Sequence, residues 1–134
     1  MNKKIYTIFF LILSACETGS TTNMLENKTN IGFEVLSTQA RSEQKNNFCA
    51  GFKLTQAQTA AFFNRGKEID AITMHDNYDW LNCYVEGKLN NKALGFINCT
   101  YSIQAGGTAN IACGEGKAYL WACDSCDDLL RDVN

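Results

Sequence analysis

The 134-residue chain contains no proline and a single histidine, His75. The first absence excludes the cis-proline that faces the redox motif of thioredoxin-like proteins. The second leaves little to hold zinc, because Cys123, Cys126 and His75 lack a second closely spaced ligand pair. Charge of neither sign dominates: 12 Lys and Arg stand against 14 Asp and Glu, a net charge of −2. Without a basic excess, nucleic acid is not an expected partner, and anionic lipid head groups are not either. No apolar run approaches the ~20 residues that a helix needs to cross a bilayer. No internal repeat is visible. Gly106-Gly107 and Gly114-Glu115-Gly116 read as turns rather than phosphate loops, since no helix follows either. No cofactor is expected.

What stands at the start of the chain is more specific. Asn2-Lys3-Lys4 is a short positive segment, Ile5 to Leu13 is apolar apart from Tyr6 and Thr7, and Ser14-Ala15 is a small-residue cleavage context. This is the layout of a removed leader. Its ending, Leu13-Ser14-Ala15-Cys16, resembles the lipobox of bacterial lipoproteins. That resemblance covers residues 1–16 and implies cleavage before Cys16, diacylglyceryl transfer to its thiol and acylation of the new amino terminus. Several acyl chains make a stable anchor where one would be marginal. By the same resemblance, Glu17 in place of Asp directs the protein to the outer membrane, on its periplasmic face.

Seven cysteines, less the lipidated one, leave Cys49, Cys83, Cys99, Cys113, Cys123 and Cys126. An even set in a small exported domain reads as a disulfide framework. A Gram-negative periplasm oxidises such pairs. Loss of Lys3 and Lys4 with the leader takes the 12 basic residues to 10 against 14 acidic ones, a net charge of about −4.

The chain therefore divides into a leader (1–15), a lipidated cysteine with a polar tether (16–30) and one domain (31–134). Fourteen Ser-, Thr- and Asn-rich residues, 17–30, span roughly 20 Å as a flexible chain. The expected fold class is α+β: an antiparallel four-stranded meander, one packed helix and a short C-terminal helix, stapled by disulfides. Ile31 to Leu36 alternates loosely as a strand would. Leu54, Ala57, Ala61 and Phe62 recur at helical spacing, with Thr55 as cap and Gly66 as stop. Three strands then alternate: Leu81, Cys83, Val85 and Leu89; Ile97, Cys99, Tyr101 and Ile103; Ala109, Ile111 and Cys113. A fourth spans Ala118 to Cys123, and a terminal helix covers Asp124 to Val133.

Hairpin geometry bears on the disulfides. A three-residue loop Ala105-Gly106-Gly107 with Gly107 left-handed pairs Gln104 with Thr108 and puts Cys99 opposite Cys113, in a non-hydrogen-bonded position where side chains lie closest. A loop Asn90-Asn91-Lys92 would instead place Cys83 opposite Cys99. Gly107 suits the left-handed position better than Lys92, which favours Cys99 with Cys113, Cys83 with Cys49, and Cys123 with Cys126.

Three features carry candidate chemistry. Cys123-Asp124-Ser125-Cys126 sits where a helix dipole would stabilise a thiolate, but Asp124, Asp127 and Asp128 oppose that, so a structural bridge is the simpler reading. The segment Met74 to Trp80 gathers His75, Asp76, Tyr78, Asp79 and Trp80. His75 with Asp76 or Asp79 could supply general-base chemistry, but no nucleophile elbow accompanies them; a recognition loop or a structural corner are the other readings. Tyr84, Tyr119 and Trp121 form an exposed aromatic surface if the helix covers the opposite sheet face, or a buried one if Ile31 to Leu36 covers theirs. The expected function is a non-catalytic protein-binding lipoprotein, with an immunity or inhibitor role against an envelope-directed toxin or hydrolase within that class. The alternatives are an envelope enzyme or thiol-disulfide helper using His75 or the Cys123/Cys126 pair, and a structural accessory of an envelope assembly.

Overall fold

The computed structural model describes residues 32–41 and 49–131. The leader, Cys16, the tether, Ile31 and the last residues of the expected terminal helix lie outside these. Among the described residues no helix is long and apolar enough to cross a membrane.

The architecture is α+β and antiparallel, but with six strands rather than four. In chain order the elements are β1 (Glu34–Ala40), α1 (Gln56–Arg65), β2 (Lys67–Ile69), α2 (Ala71–Asn77), β3 (Tyr84–Asn91), β4 (Phe96–Gln104), β5 (Thr108–Cys113), β6 (Lys117–Ala122) and α3 (Asp127–Leu130). The sheet order is β1-β3-β4-β5-β6-β2, so the expected meander is its centre. The two added strands come from outside that run. β1 pairs with β3 and β2 with β6, each closing one edge. A three-residue strand such as β2 has no period to read, and only its long-range partner defines it.

α1 begins and ends where the sequence places it. The Thr55 side chain accepts a bond from the Gln58 amide at 3.1 Å, and the Thr55 amide donates to Gln58 Oε1 at 2.9 Å, which satisfies two orphan donors of the first turn. The Gly66 amide closes the far end on the Phe62 carbonyl. The buried face is rotated from expectation: Thr59, Phe62 and Phe63 are inside, while Ala57 is exposed. Thr59 is tolerated there because its hydroxyl meets Thr38 Oγ1 at 3.3 Å.

Phe33 lies against Phe63, Phe96 and Trp121, and Phe63 against Tyr101, which makes an aromatic centre between sheet and helix. Val85, Leu89, Ile103 and Ile111 complete it, each fully buried. Gly87 lies beneath Tyr101 because a Cβ there would stand 1.9 Å from the Ser37 carbonyl oxygen and 2.7 Å from the Tyr101 hydroxyl. That hydroxyl donates to the Ser37 carbonyl at 2.8 Å.

The three bridges are Cys49–Cys83, Cys99–Cys113 and Cys123–Cys126. Gln104 pairs with Thr108 and Gly107 has φ 92°, as the hairpin count requires. The Cα atoms of Cys99 and Cys113 are 4.4 Å apart, the spacing of a non-hydrogen-bonded pair. The competing count fails because β3 runs on to Asn91 and the turn is a 3₁₀ segment, Lys92–Leu94, closed by left-handed Gly95. Leu89 therefore faces Cys99.

Two further expectations are corrected. The terminal helix is a single turn within the described residues, Asp127–Leu130. Ile97 does not share the buried face of Cys99, Tyr101 and Ile103: it is 66 % exposed. Asn98, at φ 49°, breaks the strand's alternation between them. Asparagine is one of the few non-glycine residues that adopts this backbone readily.

Candidate functional site

One face of the sheet packs on α1, and the other carries Gln39, Glu86, Lys88, Thr100 and Asn110, all exposed or half-buried. The described residues that stand out at this face gather at the end where β3 begins and β4 stops.

The path to that end starts at α2, a helix where the residue pattern suggests a loop. Asp70 caps it, accepting from the Thr73 amide at 2.7 Å, and this bond holds the Asp70 carboxyl below its ordinary range. His75 and Asp76 lie on α2 and bond each other, Nδ1 to Oδ1 at 2.8 Å, with the imidazole almost wholly in solvent. The chain then crosses the β4–β5 turn so closely that a Cβ on Gly106 would stand 2.1 Å from the Asp79 carbonyl oxygen. Only glycine allows that crossing.

Beyond it, Trp80 is 68 % exposed. Its indole N–H donates to Asn82 Oδ1 at 3.2 Å, and the Tyr84 hydroxyl donates to the same oxygen at 3.4 Å. Gln104 Nε2 donates to the Tyr84 oxygen, and Thr108 Oγ1 to Gln104 Oε1. The Arg41 guanidinium lies 4.0 Å from the centre of the Tyr84 ring and pairs with Glu86. The result is a tryptophan and a tyrosine joined by a polar network that runs inward to buried Gln104 and Thr108, with an arginine stacked on the tyrosine ring.

Beside this patch is a cavity of about 530 Å³ lined by Tyr78, Asp79, Leu81, Gly106, Cys123 and Asp124, with Leu130 and Arg131 at its margin. The Tyr78 hydroxyl donates to Asp124, whose other oxygen takes Lys67 Nζ at 3.0 Å. The Asp124 carboxylate holds the Tyr78 proton, which pushes the phenol up to about 12. Asp124 is lowered in turn, first by Tyr78 and then by Lys67.

Cys123 and Cys126 are 4 % and 0 % exposed. An attacking thiolate needs access to sulfur, and here the fold covers both. A second cavity, about 460 Å³, lies over Glu86, Lys88, Ser102 and Asn110; Ser102 Oγ is buried there with no hydrogen-bond partner among the described residues.

The sequence-predicted site residues thus divide. Tyr78, Asp79, Trp80 and Tyr84 come to one end of the sheet, with His75 and Asp76 on the helix leading to it. Tyr119 and Trp121 do not join them. The register Trp121–Ala109–Ile103–Val85 runs along the face that packs on α1, and Tyr84–Gln104–Thr108 along the opposite one, where Gln104 and Thr108 are themselves buried. Trp121 packs on Phe33 at 5.2 Å and donates to the Phe63 carbonyl, and Tyr119 packs on Phe96. The three aromatics therefore do not share one face, exposed or buried. Arg41, Asn82 and Gln104 belong to the site but carry no local sequence signal, because the sheet alone brings positions 41, 82, 84 and 104 together.

Among the described residues no group of three or more His, Cys, Asp or Glu side chains is arranged to hold a metal ion. Comparisons with protein-family models, with characterised proteins and with solved structures return no match.

Proposed function

We propose that this chain is a lipid-anchored, non-catalytic protein-binding module on the periplasmic face of a Gram-negative outer membrane. Within that class it acts as an immunity or inhibitor protein against an envelope-directed toxin or hydrolase. The observation that carries the binding role is Trp80, an indole 68 % exposed whose N–H donates to Asn82. A hydrogen bond that orients a large exposed aromatic side chain lowers the entropy left to lose on binding. Trp, Tyr and Arg are also the residue types that dominate binding energy at protein interfaces. The leader ending in Leu13-Ser14-Ala15-Cys16 and the three disulfides support the location.

The test is capture from envelope extracts by the full lipidated chain, followed by titration of the purified partner. Trp80→Ala weakens binding by about 2 kcal/mol, about thirty-fold in Kd, with the melting temperature unchanged. Equal affinity for the variant removes the site from consideration. A captured hydrolase whose turnover the chain blocks supports the inhibitor role. Accumulation of uncleaved precursor under globomycin, which blocks the lipoprotein peptidase, tests the anchor separately.

A further inference from the structure

The opposite end of the sheet has a different character. Glu34 at the start of β1 lies beside Asn90, and Phe33 packs on Phe96, so the chain arriving from Cys16 enters where β3 turns into β4. At that turn Leu94 is 50 % and Ile97 66 % exposed. The left-handed Asn98 is what directs Ile97 outward, against the alternation that would have buried it beside Cys99. Lys92 opens the same turn, and Lys117 stands at the neighbouring one.

We propose that this hairpin tip, Leu94 and Ile97 with Lys92 beside them, rests in the interface of the bilayer that holds the lipid anchor. Two observations single out a lipid surface as the occupant. The anchored segment joins the domain at this end. Its expected average span of roughly 20 Å is shorter than β4, nine residues at about 3.3 Å each, so on average the near end is the one held closer to the membrane. Two apolar side chains with flanking lysine are what an interface accepts, the apolar groups entering the acyl boundary and the ammonium staying at the head groups. The docked domain presents Trp80 and Tyr84 away from its own membrane.

The inference rests on the lipoprotein reading of Cys16, and one experiment separates the two. The full lipidated chain carrying Leu94→Trp is reconstituted into vesicles of phosphatidylethanolamine and phosphatidylglycerol whose acyl chains are brominated, a quencher of indole emission. The added indole is expected to lose its emission, while the native Trp80 and Trp121 keep theirs in the parent chain. Adding Ile97→Asp to the variant restores the lost emission. Vesicle flotation without quenching at position 94 overturns the docking inference and leaves the anchor standing. Quenching of Trp80 in the parent chain overturns the orientation and with it the proposal. A chain that carries no acyl mass on Cys16 and does not float overturns both; one without acyl mass that floats and is quenched at 94 supports docking alone. Circular dichroism of both variants, unchanged from the parent, verifies that each has folded.

Discussion

Tyr78 and Asp124 lie 46 residues apart and make the most sharply perturbed pair among the described residues. The phenol titrates at about 12 in the folded chain and near 10 when free. Its contribution to stability is therefore complete below pH 10 and is lost as pH rises through 12. Asp124 has the opposite sign: its lowered carboxyl contributes above the ordinary carboxylate range and loses that contribution as pH falls through its depressed value. Ultraviolet titration of phenolate, with Tyr78→Phe to identify the band, should find this tyrosine ionising near 12. Asp124→Asn should bring it back toward 10, and an unmoved band would mean that Asp124 does not hold the proton. At the same scale, Gly106 shows how one missing Cβ positions a site, since the Trp80 segment can cross the β4–β5 turn only over it.

Among the elements, α1 was the easiest to read and the easiest to test. Its two ends are local, each set by side chains within four residues, so Thr55, Gln58 and Gly66 act alike in any context. Thr55→Ala should cost about 1 kcal/mol of global stability by chemical denaturation, because it removes the acceptor for the Gln58 amide and disrupts the reciprocal cap. The rotation of its buried face was not legible in the same way. Thr59 enters the core only because Thr38 arrives from β1 to bond it, and periodicity counts a threonine as polar wherever its partner is. The meander was legible because alternation and turn chemistry are both short-range. It misled at Ile97, where one left-handed asparagine reverses the face, and at the β3–β4 turn, where Asn91 accepts from the Leu94 amide and lengthens the strand.

For the molecule as a whole, the staples matter most where the sheet is thin on covering layers. Helix α1 shields one face, the other is covered only at the end where Gln104, Thr108 and Ala122 are buried, and the core lies between helix and sheet with Phe33 inserted from the start of the described chain. Cys99–Cys113 closes a span of 14 residues, Cys49–Cys83 one of 34. By the loop-entropy model these constrain the unfolded chain by about 3 and about 4 kcal/mol respectively. Replacing Cys99 and Cys113 together by Ser should lower the unfolding free energy by about 3 kcal/mol in denaturant titration, with the sheet retained by circular dichroism. No change would place the stability in the aromatic centre alone. The buried Cys123–Cys126 bridge should resist mild reductant under native conditions until the chain unfolds.

The sequence by itself determined what depends on near neighbours: the cap and stop of α1, the antiparallel meander, the Gly107 turn and, through hairpin counting, the Cys99–Cys113 bridge. It also determined the composition of the Tyr78 to Trp80 segment, though not that α2 leads into it. Tertiary structure decided the rest. Pairing across the sheet carried the strand expected to end at Leu36 on to Ala40, made a strand of 67–69, sent Tyr84 to the face opposite α1 and Trp121 to the core, and joined Arg41, Asn82 and Gln104 around Tyr84. The reason is one of range. A cap or a turn is satisfied by atoms already held close along the chain, whereas a sheet edge or a binding face exists only after residues tens of positions apart have been brought into register.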